Sequence, residues 1–499
     1  MNTKQALGGE NMSGIVAAYG SHIEDVEIQT MLEKLKHRGP DAVLESKFDK
    51  LVIAEAYLSL QPQDDDCCRG EPMQNVAAMD GRIFNRKLLA ERVGNFATDG
   101  ELALKMYQEK GPDFLKDLDG MFSMVLALEG GQPFIARDPL GIKPLYYGHK
   151  NDTIYFASEV KALFGHTSDI KIFPPGHYFT PDGGFKQYID FEGIKWADPN
   201  LEEALDKVRN LMEESLVRQI PDETVPAALL SGGIDSSLIV AVATRHIKNL
   251  KTFCVGTEGA GDIEAARKVA DFLGTEHKEA TYSKQDIQEI LPEVIYYMES
   301  FDPSLIRSSV ANYFAYKLVG HNARVIFSGE GGDELFGGYR YLKDLEGEEG
   351  LHQELVDFFY GLHNVGLQRV DRMSMAHSIE CRMPFLGMDL LRYVVTLPPK
   401  WKIYGPEKIE KWILRKAFEG WIPDDVLWRV KQEFSQGSKT VDVMKEIAEE
   451  QVSDSEFERE SNAIDPPLRN KEEVMNYRIF RKYFDDDSAV ATVGRWVTT

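Results

Sequence analysis

Ser231-Gly-Gly-Ile-Asp-Ser-Ser237 is the stretch whose reading decides the fold. It follows Val225-Pro-Ala-Ala-Leu-Leu230, an apolar run that reads as a buried strand, and precedes Leu238-Ile-Val-Ala-Val-Ala-Thr-Arg-His-Ile247, which has the length and apolar content of a helix. A strand, a small polar loop and a helix N-terminus together form an anion site. Gly232 and Gly233 let the backbone approach phosphate oxygens, while Ser231, Ser236 and Ser237 add hydroxyl donors. Asp235 would repel phosphate, so its expected use is to hold a Mg²⁺ that bridges phosphates. The run is not a Walker A loop, because no lysine precedes its final serine. An ordinary glycine-serine turn is the bland alternative, and the strand–loop–helix context argues against it.

Outward from this loop the pattern alternates. Thr252–Gly256 reads as a strand, Asp262–Leu273 as a helix stopped at Gly274, and Ala323–Phe327 as another strand. This predicts an α/β domain with a doubly wound parallel sheet, whose ligands bind at the carboxyl ends of the strands. The segment beyond residue 350 reads as mostly helical. Before residue 192 the chain is rich in short strand-like runs, among them Gly14–Tyr19, Leu51–Leu58, Met121–Leu128 and Thr153–Ala157. Amphipathic helices such as Glu101–Tyr107 sit between them, which predicts an α+β sandwich. The expected division is an extension at 1–11, the sandwich at 12–192, a linker at Trp196–Asn200 and the nucleotide domain at 201–499.

Hydrophobic residues at 43% and charged residues at 28% fit a soluble globular chain. No apolar run is long enough to span a bilayer, and the first residues lack a signal-peptide core, so no membrane partner and a cytoplasmic location are expected. Four cysteines in 499 residues argue against a disulfide framework, and the Cys67-Cys68 pair with lone Cys254 and Cys381 gives no zinc spacing. A net charge of −24 argues against nucleic acid as a partner.

The predicted strand at Ala323–Phe327 runs into Ser328-Gly-Glu-Gly-Gly-Asp-Glu-Leu-Phe-Gly-Gly-Tyr339, a glycine-rich loop carrying Glu330, Asp333 and Glu334. The 231–237 loop resembles the pyrophosphate loop of the ATP pyrophosphatases. With the second loop, the chain is similar to the glutamine-hydrolysing asparagine synthetases over nearly its whole length. In that family a carboxylate attacks the α-phosphate of ATP, and ammonia then displaces AMP from the acyl-adenylate. The resemblance implies ATP contacts at Leu230, Ser231, Gly232, Gly233, Asp235, Ser236 and Ser237, at Val255 on the next strand end, and at Ser328 and Gly329. It implies adenylate formation at Glu330 and Mg²⁺ ligands at Asp235 and Asp333. Phe301-Asp-Pro-Ser-Leu-Ile-Arg-Ser-Ser309 resembles a family segment in which a hydroxyl and an arginine, here Ser304 and Arg307, approach the phosphates and substrate, and Trp428-Arg-Val-Lys-Gln-Glu-Phe-Ser435 resembles the segment bearing the catalytic lysine, here Lys431. Cations there would stabilise the departing pyrophosphate. Glu380–Leu386 matches a family segment expected to be architectural.

The first half resembles the Ntn-type glutaminase domain of the class II amidotransferases at His37-Arg-Gly-Pro-Asp41, Ala136–Tyr146 and Ala157–Ala162. These are scaffold motifs, and the chemical residues differ. The family begins Met-Cys-Gly-Ile-Val, where the cysteine is the nucleophile. Here the match is Met12-Ser13-Gly-Ile-Val16, internal to the chain, so Ser13 has no free amine unless translation starts at Met12 or the preceding residues are removed. The arginine that clamps glutamine becomes Tyr57. The Asn-Gly-Glu run becomes Asp80-Gly81-Arg82, with a carboxylate where an oxyanion must form. Of the glutamine-binding set only Asp99 clearly remains. Loss of glutamine hydrolysis is expected.

The resulting expectation is an AMP-forming carbon–nitrogen ligase with ATP and Mg²⁺. Its carboxylate would be aspartate by default and its nitrogen ammonia. The partners are small molecules, with a homodimer allowed because family members often dimerise. Two alternatives stay open. One is an amide-forming relative with another substrate, as in the β-lactam synthetases and lasso-peptide cyclases. The other is a non-catalytic ATP-binding paralogue.

Overall fold

A computed structural model of the chain describes residues 11–60, 76–167, 169–222, 224–429 and 434–495. The N-terminal half carries β1 (Asn11–Tyr19), β2 (Ala42–Lys47), β3 (Leu51–Ser59), β4 (Val76–Ile83), β5 (Gly120–Ala127) and β6 (Pro133–Arg137). These are followed by β7 (Tyr146–Lys150), β8 (Thr153–Ala157), β9 (Lys171–Ile172), β10 (His177–Thr180) and β11 (Gly184–Gln187). They form two antiparallel sheets, ordered β2-β3-β1-β8-β7-β9 and β11-β10-β6-β5-β4. Alternate residues of both sheets, including Ile15, Ile53, Val125, Ile135 and Phe156, fill one core. That is the α+β sandwich expected from the period-2 patterning. The second sheet is covered on its other face by α1 (Asp99–Lys110), started by Thr98, whose side chain accepts from the amide of Glu101.

After α2 (Leu201–Arg218), capped by Asn200, the chain enters a second sheet system: β12 (Ala227–Leu229), β13 (Lys251–Gly256), β14 (Glu276–Thr281), β15 (Val325–Phe327) and β16 (Glu380–Arg382). The order is β14-β13-β12-β15-β16, and every pairing is parallel. The first strand in sequence is therefore central. The chain builds outward to one side through β13 and β14, then returns to build the other through β15 and β16. The loops leaving β12 and β15 diverge, and the crevice between them is where such sheets bind ligands. The helix after β12, α3 (Ile234–Ala243), starts at Ile234 rather than near Leu238, so Asp235, Ser236 and Ser237 lie in its first turn. The segment after residue 350 is mostly helical, but Glu380–Arg382 supplies an edge strand of the sheet. Ile403–Tyr404 (β17) and Ile409–Glu410 (β18) form a hairpin. Among the described residues no helix is long and apolar enough to cross a membrane.

Candidate active site

The loop after β12 is braced by its own hydroxyls. The amide of Ser231 donates to Ser236 Oγ at 3.1 Å, the two serine hydroxyls meet at 3.0 Å, and Ser236 Oγ donates to the carbonyl of Gly233 at 3.2 Å. Gly233 caps α3, whose first-turn N–H groups and positive dipole end face the crevice. The loop after β15 approaches closely: a Cβ on Gly329 would stand 2.7 Å from the amide nitrogen of Ser236, so a side chain there would push the loops apart.

Between the loops lies a cavity of about 260 Å³. Leu230, Ser231, Gly233, Asp235, Ser236, Val255, Ser328, Gly329, Glu330, Asp333 and Ser304 all line it. Leu229, Phe253 and Val426 make one flank apolar, and the acidic residues gather on another. Gly232 and Ser237 are outside this lining. Gly232 takes a φ of +73° beside Ala265, and Ser237 is fully buried within α3. They shape the loop rather than face its ligand. Lys431 lies outside the described residues, as do Cys67 and Cys68.

Arg307 does not reach the cavity. On α5 (Pro303–Val319; α4 being Gly261–Leu273), Ser304, Leu305, Ser308, Asn312 and Ala315 share the cavity-facing stripe. With about 100° per residue, Arg307 falls well round the helix from that stripe. It donates to both carboxylate oxygens of the buried Glu472 at 2.9 Å instead. The sequence pattern fixed a guanidinium on the right helix but not its rotation toward Glu472.

A cation beside the 231–237 loop is one the sequence pattern does not reveal. Lys411, at the end of the β17–β18 hairpin, stands 2.5 Å from a carboxylate oxygen of Asp235 and 2.5 Å from one of Asp333. Its side chain is 1% exposed and its φ is +55°. Burial alone would lower its ammonium, but the two carboxylates outweigh it and hold it above the usual lysine range. Lys411 is 176 residues from Asp235, and a lone lysine before a helix carries no signal in one sequence. Next to it, Arg369 donates to Glu330 at 2.5 Å. Glu334 is buried, is met by the Tyr339 hydroxyl and has its carboxyl pushed up to about 7 by burial and by the charges of Glu330 and Asp333. At the apolar end Asp262 is raised to about 6 by burial, against the Arg429 guanidinium 3.4 Å away.

In the N-terminal sandwich, Ser13 pairs in register with Tyr57 across β1 and β3, and its fully buried hydroxyl donates to the carbonyl of Met79 at 3.0 Å. Beside it, burial and the charge of Asp80 push Glu55 up to about 7 despite the neighbouring Ser13 hydroxyl. Gly81 has a φ of +127°, and a Cβ there would meet the carbonyl of Met121 at 1.9 Å, so only glycine fits. Asp99 accepts from the amide of Ile83 at 3.0 Å. Asp80 and Arg82 are both buried; Asp80 accepts from Arg38 of the same domain, and Arg82 donates to Glu380 of the other.

A two-sheet amidotransferase-type domain joined to a parallel sheet with a serine-glycine anion loop at its switch point defines a nucleotide-using transferase or ligase with two fused halves. Comparison narrows the class. Residues 12–181 match a glutamine amidotransferase domain, and residues 207–348 and 342–497 match asparagine synthase. The chain is 33% identical over 519 residues to asparagine synthetase [glutamine-hydrolyzing] 2 of Arabidopsis thaliana, covering 97% of this chain and 89% of the relative. It is 34% identical over 541 residues to the probable asparagine synthetase of Schizosaccharomyces pombe, covering 97% and 96%. The chain belongs to the asparagine synthetase family, whose members form amides with ATP.

Proposed function

We propose that this chain is an AMP-forming ligase that adenylates a carboxylate, by default the side chain of aspartate, and aminates it with ammonia from solution. The observation that carries the reading is the convergence of Asp235, Asp333 and Lys411 where the loops after β12 and β15 meet, with Glu330 and Arg369 beside them. The amides and hydroxyls of Ser231–Ser236 would grip the phosphates, and the apolar flank at Leu230, Phe253 and Val255 would take the base. The acid's oxygen attacks the α-phosphorus, and the bond to pyrophosphate breaks. Lys411 and the N–H groups of α3 stabilise the charge that builds on the leaving group. Glu330, held by Arg369, stands at the end of β15 to orient the acid. Ammonia then attacks the acyl carbon, the bond to AMP breaks, and the amide loses a proton.

Mg²⁺ fits the site. Among the described residues no group of three or more His, Cys, Asp or Glu side chains is arranged to hold a metal alone. Two carboxylates aimed at one cationic point suit an ion that takes the rest of its shell from phosphates and water. Asp235 and Asp333 would hold it, and it would neutralise phosphate charge. Lys431, in the family's segment, is proposed as a further cation there.

Ammonia rather than glutamine is supported by Ser13, a buried hydroxyl that donates to the Met79 carbonyl where the family uses a thiolate. The test is pyrophosphate release from ATP with aspartate and ammonium. Release that needs aspartate supports the proposal, and release only with other acids refutes the choice of substrate.

A further inference from the structure

Asp80 and Arg82 replace the family's glutamine-binding run; Arg82 pairs directly with the other domain, and Asp80 is tied to it through Arg38 and Lys143, which each hold both Asp80 and Asp371. Arg38 donates to Asp80 at 2.7 Å, to Glu159 at 2.8 Å and to Asp371 at 2.7 and 3.0 Å. Lys143 bridges Asp371 at 2.7 Å and Asp80 at 3.0 Å. Arg372 donates to Glu299 at 2.9 Å, and Lys161 stands 3.0 Å from the same carboxylate. Arg82 reaches Glu380 at 3.3 Å, where Arg382 also lies at 2.5 Å. The scaffold motifs at 37–41, 136–146 and 157–162 thus supply Arg38, Lys143, Glu159 and Lys161 to one network spanning both domains.

All of these side chains are buried, so their charges must balance locally. Four cations (Arg38, Lys143, Lys161 and Arg372) face four carboxylates (Asp80, Glu159, Glu299 and Asp371), and beside them Arg82 and Arg382 share Glu380. A neutral asparagine at position 80 would leave Lys143 and Arg38 sharing less negative charge.

The partners are two elements that build the nucleotide cavity. Asp371 lies on α7 (Gly366–Met375; α6 being Gly332–Phe336), two residues after Arg369, which holds Glu330 at 2.5 Å. Glu380 and Arg382 form β16, and the amide of Ser328 donates to the carbonyl of Arg382 at 2.9 Å.

We infer that Asp80 and Arg82 are positioning residues for the synthetase cavity: the former glutamine pocket is an ion-pair lock that fixes α7 and β16, and through them Arg369, Ser328 and Glu330. The N-terminal half then serves the adenylation site mechanically, with no nitrogen passing through it. The catalytic part of this inference rests on the adenylating function proposed above.

The experiment uses the full chain with D80N, K143M, D80N/K143M and R82M. Steady-state pyrophosphate release on ATP and aspartate is measured, together with thermal unfolding and amide hydrogen exchange across 366–375. D80N and K143M should each lower kcat about tenfold and speed exchange there, with the KM for ATP changed by less than about threefold. D80N/K143M, which removes the charge and its partner together, should recover a large part of that loss. R82M should act in the same direction and serves if D80N does not fold. A D80N protein with a lower melting temperature but unchanged kcat and exchange overturns the inference, as does strict additivity in the double variant. Should wild type release no pyrophosphate with any acid, the adenylation proposal fails on its own. Exchange at 366–375 then decides the lock: acceleration in D80N sustains it and no change overturns it.

Discussion

Replacing Lys411 by methionine removes a cation that pairs with both Asp235 and Asp333 and keeps most of the buried stem. Both ion pairs are 2.5 Å and the lysine is 1% exposed, so solvent screens them little. Removing one partner of a buried pair costs about 3–5 kcal/mol of stability, because the charge left behind stays desolvated. Here two carboxylates lose the same partner. Loss of one preorganised charge stabiliser lowers kcat by about 10²–10³. The Lys411 ammonium is held above its ordinary value, so its stabilising contribution is fully present below that value and is lost only as pH rises through the higher folded one. The stability difference between wild type and K411M should therefore be flat from about pH 6 to 9. Denaturant unfolding gives the first quantity and pyrophosphate release the second. A third readout is Mn²⁺ binding without nucleotide, which should tighten once the carboxylates no longer share a lysine. A folded K411M enzyme with wild-type kcat and unchanged Mn²⁺ affinity would refute the reasoning.

Other buried groups give independent tests. Glu55 sits at about 7, so folding holds a proton that the unfolded chain releases from about pH 4.5 upward, and its contribution is lost as pH rises between those values. E55Q should raise stability at pH 8 by up to ~3 kcal/mol and remove that slope; unchanged pH dependence contradicts it. Lys402 is fully buried and lowered to about 7 by burial, so stability should rise with pH between about 7 and 10.5, and K402M should be more stable at pH 7. A destabilised K402M at that pH would show that its ammonium has a partner. R307M should cost about 3 kcal/mol by stranding Glu472, while changing the KM for ATP less than about twofold; a large KM effect in a fully stable variant would return Arg307 to the phosphates.

Much of this architecture was legible because it is local. Thr252–Gly256 and Asp262–Gly274 carry their own period and stop signal, and the structure has β13 at Lys251–Gly256 and a helix ending at Leu273 with Gly274 in the left-handed cap. The strand–loop–helix turn at 231–237 was readable from seven consecutive residues, although its helix starts four residues earlier than apolar content alone implied. What stayed hidden depends on tertiary rotation or distant pairing. Arg307 sits on the expected helix but faces Glu472, 165 residues on. Lys411 enters only because the β17–β18 hairpin folds back beneath the loops. Asp80 and Arg82 were readable only as departures from the family's Asn-Gly-Glu run. Their gain was not, because Arg38, Lys143, Asp371 and Glu380 come together only when the two halves dock.

The most direct measurement gives the purified full chain Mg·ATP, aspartate, ¹⁵N-ammonium and unlabelled glutamine, and follows the adenine nucleotide and the amide nitrogen together. The account predicts AMP and pyrophosphate in equal amounts, asparagine carrying ¹⁵N, and glutamine left intact. Unlabelled asparagine with matching glutamate release, or ADP and phosphate in place of AMP and pyrophosphate, would contradict it.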